Sequence, residues 1–217
     1  MAQPGAQAQA TTPSGYGVTL GLTDGRQITR DIALQHAASI CASVDVPVNR
    51  DFENGFGDDP ETVKLAAEAG LSGVSVKDTA VPGTNSNPFD PALARIEAAG
   101  IVLTARADGW LMNSYELAEA LRRCHAFAQA GADVMYAPLV DAGTTRALAA
   151  TGTPVNLLAA GAMRDLTTDE IGALGPARIS IGVGWPASPS RCPGWHQCDA
   201  GTGRFHDPEG GGKHGRD

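Results

Sequence analysis

In the stretch NRDFENGFGDD, residues 49–59, two carboxylates, Asp51 and Glu53, stand one residue apart at the end of the apolar run VDVPV. Alternation along an extended chain sends both to one side, with Arg50 and Phe52 on the other. Two close carboxylates repel unless a cation or a shared proton lies between them. A hard divalent ion such as Mg2+ (or Mn2+) takes carboxylate oxygens of this kind. Gly55 and Gly57 let the following loop turn sharply and approach a ligand. The structural alternative is that the acids cap the next helix or pair with Arg50 or Arg106.

Short apolar runs position these residues. They span 46–52, 73–78, 101–108, 133–139, 154–159 and 178–183, with a seventh candidate at 8–12. Being apolar throughout, they read as strands buried on both faces, as in a parallel sheet. Ala-rich helical stretches lie between them, at 29–44, 59–70, 90–100, 114–131 and 144–152. Thr29 and Ser114 are expected N-caps, and EAG, AAG and QAG place glycine at helix ends. The Pro60 of DDPET sits at a helix start, which accounts for Asp58 and Asp59 near the positive end of the dipole. Gly143–Thr145 read as a further cap. The rhythm of about 25–30 residues per unit is that of repeated βαβ units. An α/β fold of the (β/α)8 TIM-barrel type follows, because no G-x-G-x-x-G follows any strand to support a doubly wound sheet. In a barrel, strand C-terminal ends open into the mouth where active sites sit, so Asp51 and Glu53 would face that mouth.

The chain has 217 residues and 42% hydrophobic content, enough for one domain with a sizeable core. Its net charge of −8 disfavours nucleic acid and anionic membrane as partners. No apolar run is long enough to span a bilayer, and the first residues lack a secretory pattern, so a cytoplasmic protein with reduced thiols is expected. Residues 1–10 read as a disordered segment, 11–184 as the barrel domain and 185–217 as a Gly/Pro-rich disordered tail. The tail carries Cys192, Cys198, His196, His206 and His214, but CPGWHQC lacks the C-x2-C spacing of structural zinc sites. His36 and His125 lie in helices and read as structural. Trp110 and Tyr115 read as packing at the barrel rim.

The succession TTPSGYGVTLGLTDG, VPVNRDFENGFGDDPETV, AGLSGVSVKD, LTARAD, AGADVMYAP and PVNLLA resembles the isocitrate lyase/phosphoenolpyruvate mutase superfamily, over residues 11 to 184. The resemblance implies a (β/α)8 barrel, often homo-oligomeric. It implies a Mg2+-dependent lyase, hydrolase or mutase acting at a C–C or P–C bond next to a 2-oxo carboxylate, on a small 2-oxo acid or phosphonate. By the same resemblance Asp51 and Glu53 would hold the metal, Asp24 would reach it through water, and Ser14 and Gly15 would hold the substrate carboxylate. Arg106 would bind that carboxylate, Asp108 would stand close to the substrate, and Asn156 would line the pocket floor. The chemistry suits these types: cleavage beside a 2-oxo acid leaves an enolate, which a Lewis acid stabilises, and a guanidinium fork matches a carboxylate.

Three departures follow. Lys77 in VSVKD stands where the family usually has Glu, and its ammonium would pair with Asp51 or Glu53 in competition with Mg2+. Such a pair attracts by roughly 4 kcal/mol before desolvation at an effective dielectric near 20. Strand parity turns Asp78 away. The loop 79–90 reads as a lid or a plain surface turn and lacks the cysteine motif of isocitrate-type lyases, so isocitrate cleavage is not expected. Both ends read as incomplete against the family pattern, lacking the first β/α unit and the C-terminal helices, which would weaken oligomerisation. Buried on the outer face, Arg50 needs a partner. The competing function is therefore a catalytically impaired remnant that only binds a ligand or a partner. A two-carboxylate glycosidase is set aside, since acids on one strand do not straddle a sugar bond.

Overall fold

The structure is a computed structural model that describes residues 7–22, 28–56, 61–79 and 101–180, and the backbone of 197–198 and 205–206. The chain divides into two compact units, Met1–Pro138 and Leu139–Asp217, where the sequence reading runs a single barrel over 11–184.

The first unit contains β1 (Gln9–Thr11), α1 (Pro13–Thr19), α2 (Arg30–Cys41), β2 (Val48–Asp51), α3 (Glu61–Glu68), β3 (Gly73–Lys77), β4 (Val102–Arg106), α4 (Leu117–Gln129) and β5 (Val134–Tyr136). Its five strands form one parallel sheet in the order β1-β2-β3-β4-β5. Each strand pairs with its sequence neighbour and the order never reverses. That single winding direction is the (β/α)-barrel arrangement, and it excludes a doubly wound sheet, which needs a reversal. Register places Lys77 beside Arg106 and Asp51 beside Ser75, so charged side chains gather at the strand ends.

Apolar residues of the strands pack under the helices. Val48, Phe52, Val74, Leu103 and Ala105 meet Ala37, Val63, Ala66 and Phe127 in one buried cluster. Burying a ring the size of Phe127 contributes about 1.5–3 kcal/mol. Gly73 is required here, because a Cβ would stand 2.8 Å from Asn49 Nδ2 and 2.9 Å from the Val102 carbonyl.

The second unit contains α5 (Ala142–Ala149), β6 (Asn156–Leu158), a 3-10 turn (Gly161–Met163), α6 (Thr168–Gly172), β7 (Arg178–Ser180), and the short strands β8 (Gln197–Cys198) and β9 (Phe205–His206). β6 and β7 pair in parallel, β8 and β9 antiparallel. Leu157, Ala159, Met163, Ile171 and Leu174 make its core.

Several boundaries differ from those read in the sequence. β1, Gln9–Thr11, falls within the strand candidate at 8–12, and its first two residues lie inside the segment 1–10 expected to be disordered. β8 and β9 lie within the predicted tail; the side chains of its cysteines and histidines lie outside the described residues. Thr29 caps α2 as expected, accepting from the Ile32 amide. Ser114 does not cap α4, which starts after Glu116. Its amide instead returns to the Gly109 carbonyl at 2.7 Å, closing a turn ahead of the helix. At α5 the cap is Asp141, which accepts from Thr144 at 2.7 Å, so Gly143–Thr145 form the first turn. The expected Pro60 helix start, the helix at 90–100 and the loop 80–90 lie outside the described residues. Among the described residues, no helix is long and apolar enough to cross a membrane. Cys41 and Cys124 are free thiols; burial pushes the Cys124 thiol up to about 12.

Candidate active site

At the C-terminal ends of β2, β3 and β4 five charged side chains meet: Asp51, Glu53, Lys77, Arg106 and Asp108. β2 ends at Asp51, so strand alternation alone does not place Glu53. Glu53 reaches the same side through a left-handed backbone conformation (φ 52°), which a non-glycine residue adopts at a cost of about 1–2 kcal/mol. Backbone bonds hold it there: its carbonyl accepts from the Lys77 amide at 2.6 Å, and its own amide donates to Asp51 Oδ1 at 2.9 Å.

Lys77 Nζ donates to Glu53 Oε2 at 2.7 Å and lies 3.4 Å from Asp51 Oδ2. Arg106 Nη1 donates to that same Asp51 oxygen at 2.7 Å. The guanidinium also grips Asp108 with two bonds, Nε to Oδ1 at 2.9 Å and Nη2 to Oδ2 at 2.8 Å. Its face lies over the Tyr136 ring, 5.0 Å from the centroid. Burial works against charge on Asp51, but Lys77, Arg106 and the Glu53 amide outweigh it and hold the carboxyl below its usual range. Burial likewise opposes charge on Lys77 and Arg106, and the neighbouring carboxylates reverse that, raising both. Lys77 is therefore a fixed ammonium rather than an amine nucleophile.

Behind this cluster lies a second one. Asp78, buried on the other side of the chain as strand parity requires, accepts from the amides of Asp108 (2.9 Å) and Gly109 (3.2 Å). It also accepts from the Tyr115 hydroxyl (2.6 Å) and from Arg123 Nη1 (3.1 Å). Arg123 in turn donates to Glu119 at 2.9 Å and lies over the Tyr115 ring. Burial raises the Asp78 carboxyl, and its donors only partly offset that. Gly109 is required because a Cβ there would collide with the Tyr115 ring. Asp78 thus fixes the backbone that carries Asp108, and Asp108 fixes Arg106. Sequence reading set Tyr115 at the rim and gave Arg123 no role; the three residues come from separate elements, and only an arginine on the apolar face of α4 hinted at a buried partner.

The other expected site residues fall elsewhere. Gly15, expected with Ser14 to hold the substrate carboxylate, is exposed in the first turn of α1; of Ser14 only the backbone is described. Thr12 precedes them without a side-chain cap bond. Asp24 lies outside the described residues. Asn156 belongs to the second unit, where it is buried and donates to Ser180 Oγ at 3.0 Å, its Oδ1 without a partner among the described residues. On the opposite face of β2, Arg50 is fully buried, with Nη1 2.7 Å from His36 Nδ1 and 3.3 Å from Thr11 Oγ1. Since a guanidinium only donates, His36 is neutral with Nδ1 as acceptor. His36 stacks on Tyr16 at 3.5 Å, and burial, then Arg50, lowers its pKa. Among the described residues Arg50 Nε and Nη2 have no hydrogen-bond partner.

The residues that would hold Mg2+ do not fit it as they stand. Mg2+ is usually held by one or two carboxylates with several waters, so the number of acids is not what stands against it. Among the described residues no group of three His, Cys, Asp or Glu side chains is arranged to hold a metal ion. Lys77 already contacts both carboxylates.

A family model described as phosphoenolpyruvate phosphomutase matches residues 1–187. The chain belongs to the phosphoenolpyruvate phosphomutase family. Two solved structures from Burkholderia cenocepacia J2315 resemble this family member. One, assigned as a lyase/mutase, is 39% identical with a TM-score of 0.73, over 82% of this chain and 69% of that one. The other, assigned as a phosphonomutase, is 30% identical with a TM-score of 0.74, over 82% and 79%. A 2,3-dimethylmalate lyase, a member of the PEP mutase/isocitrate lyase superfamily, is 25% identical with a TM-score of 0.69, over 82% and 68%. The solved relatives place this phosphomutase-family chain in the TIM-barrel class that its strand order shows.

Proposed function

We propose that this chain acts on a small 2-oxo carboxylate or phosphonate, breaking or rearranging a C–C or P–C bond next to the 2-oxo group through an enolate. The observation that carries this is the meeting of Lys77 and Arg106 on one oxygen, Asp51 Oδ2, at the strand ends. When the bond beside a 2-oxo group breaks, its electron pair moves onto the carbonyl oxygen. Fixed positive groups in a partly buried site stabilise that developing charge without reorganising. Arg106, held on two sides by Asp108 and Asp51, orients the substrate carboxylate. Glu53 and Asp51 keep the ammonium of Lys77 in place. In this reading the first-turn amides of α1 near Ser14 and Gly15 are further donors to the substrate.

The test is turnover of a panel of 2-oxo dicarboxylates and phosphonopyruvate, followed by NMR for carboxylate, pyruvate or phosphate products. Product formation is expected, and Arg106→Met should lower kcat/KM by about 10²–10³-fold. Turnover that survives Arg106→Met unchanged would overturn the assignment. The competing function, a binding protein that has lost catalysis, is favoured by the closure of Lys77 onto Glu53. It predicts ligand binding with no product from any member of the panel.

A further inference from the structure

Lys77 sits where a cation is needed. Its Nζ lies 2.7 Å from Glu53 Oε2 and 3.4 Å from Asp51 Oδ2. The other Asp51 oxygen is committed to the Glu53 amide. Both carboxylates are therefore already turned onto an ammonium carried by the adjacent strand, and a divalent ion could reach them only by expelling it. Charge leads to the same place. Against a carboxylate at this position, a lysine adds two positive charges, as much as one divalent ion brings.

Resting on the reading given under Proposed function, we propose that Lys77 takes the place of the divalent cation, so that the site binds a planar 2-oxo carboxylate or its enolate without metal. The donor count suits that ligand. An ammonium has three N–H groups and a guanidinium five. Lys77 uses two on Glu53 and Asp51, and Arg106 uses three on Asp108 and Asp51. Among the described residues three N–H groups remain, against the three oxygens of a 2-oxo carboxylate. The side chains of Lys77 and Arg106 keep 19% and 13% exposure, so the cluster is open to a small ligand.

Oxalate, a planar dianion with the shape of the enolate, is the probe. Its binding to the full chain is measured by calorimetry in EDTA and again with excess Mg2+, and Mn2+ binding is followed by electron paramagnetic resonance. Oxalate should bind in EDTA, with little change on adding Mg2+, and Lys77→Met should weaken it about tenfold or more. Lys77→Glu should bind oxalate only with Mn2+ and show a bound-Mn2+ spectrum that the wild type lacks. That gain also shows that the variant folds. Oxalate binding by the wild type only when metal is present overturns the substitution of metal by Lys77 and leaves the proposed function standing. Unchanged affinity in Lys77→Met overturns it too. No oxalate binding under either condition overturns both.

Discussion

Asp51 and Asp78 are buried aspartates at the ends of neighbouring strands, and both are surrounded by donors. Asp78 has a fully buried side chain and takes four bonds, two from amides and two from side chains, all of them from its own unit. Asp51 keeps 10% exposure and shares one oxygen between two cations that still have donors to spare. The same residue type is a strut in one place and a ligand-facing group in the other. The difference lies in what its cations have left over, and the two carboxyls respond in opposite directions, Asp78 raised and Asp51 lowered.

Breaking the strut should have the largest effect on stability. Asp78→Ala leaves the buried Arg123 without its aspartate and takes the Asp78 acceptor from the Asp108 amide, while the Gly109 amide keeps only the Tyr115 hydroxyl. It should cost about 3–5 kcal/mol in urea unfolding. Oxalate affinity should fall with it, because the backbone of Asp108 is released. A loss under about 1 kcal/mol would mean that the cluster around Asp78 holds nothing in place. Gly109→Ala attacks the same strut from the backbone by displacing Tyr115. It should cost about 1–3 kcal/mol, read as a lower urea midpoint at unchanged slope.

Arg50, one residue before Asp51 and on the opposite face, sharpens the comparison from the other side. Among the described residues it is a buried guanidinium without a carboxylate partner, and two of its nitrogens have no hydrogen-bond partner. Arg50→Met should raise stability by about 1–3 kcal/mol, since unsatisfied buried donors are costly. A large destabilisation would show that Arg50 has a counter-charge after all.

The smallest effect belongs to Glu119, on the edge of the Asp78 cluster. A hydrogen bond from Arg122 first, aided by one from Arg123 and by the charge of both, outweighs burial and pulls its carboxyl down to about 2 from an ordinary 4.5. A depressed carboxyl adds stability that is fully present above its unfolded pKa and is lost as pH falls through its folded one. The contribution should therefore disappear between pH 4.5 and about 2, and Glu119→Gln should flatten that part of the profile. Because Arg122 is well exposed, the difference should stay under about 1 kcal/mol.

The strands were legible in the sequence because buried parallel strands read as continuous Val- and Ile-rich runs, and all of β2 to β7 lie within the runs so identified. The contact of Lys77 with Asp51 and Glu53 was legible too, because opposite charges at adjacent strand ends have few other partners. α1 was not, since PSGYGVT joins a proline and two glycines, poor helix formers in the interior. α6 carried a readable signal that went unused: Thr167 and Glu170 form a capping box. The route of Glu53 was illegible because nothing marks a glutamate as left-handed. The Asp78 cluster draws on the ends of β3 and β4 and on α4, and only packing brings those together.

The most direct test of the central claim is a crystal structure of the wild-type chain grown with Mn2+ and oxalate, with diffraction recorded for anomalous signal from manganese. The account predicts Lys77 Nζ between Asp51 and Glu53, oxalate against Lys77 and Arg106, and no anomalous peak at the two carboxylates. A manganese peak bridging Asp51 and Glu53, with Lys77 swung away, would contradict it.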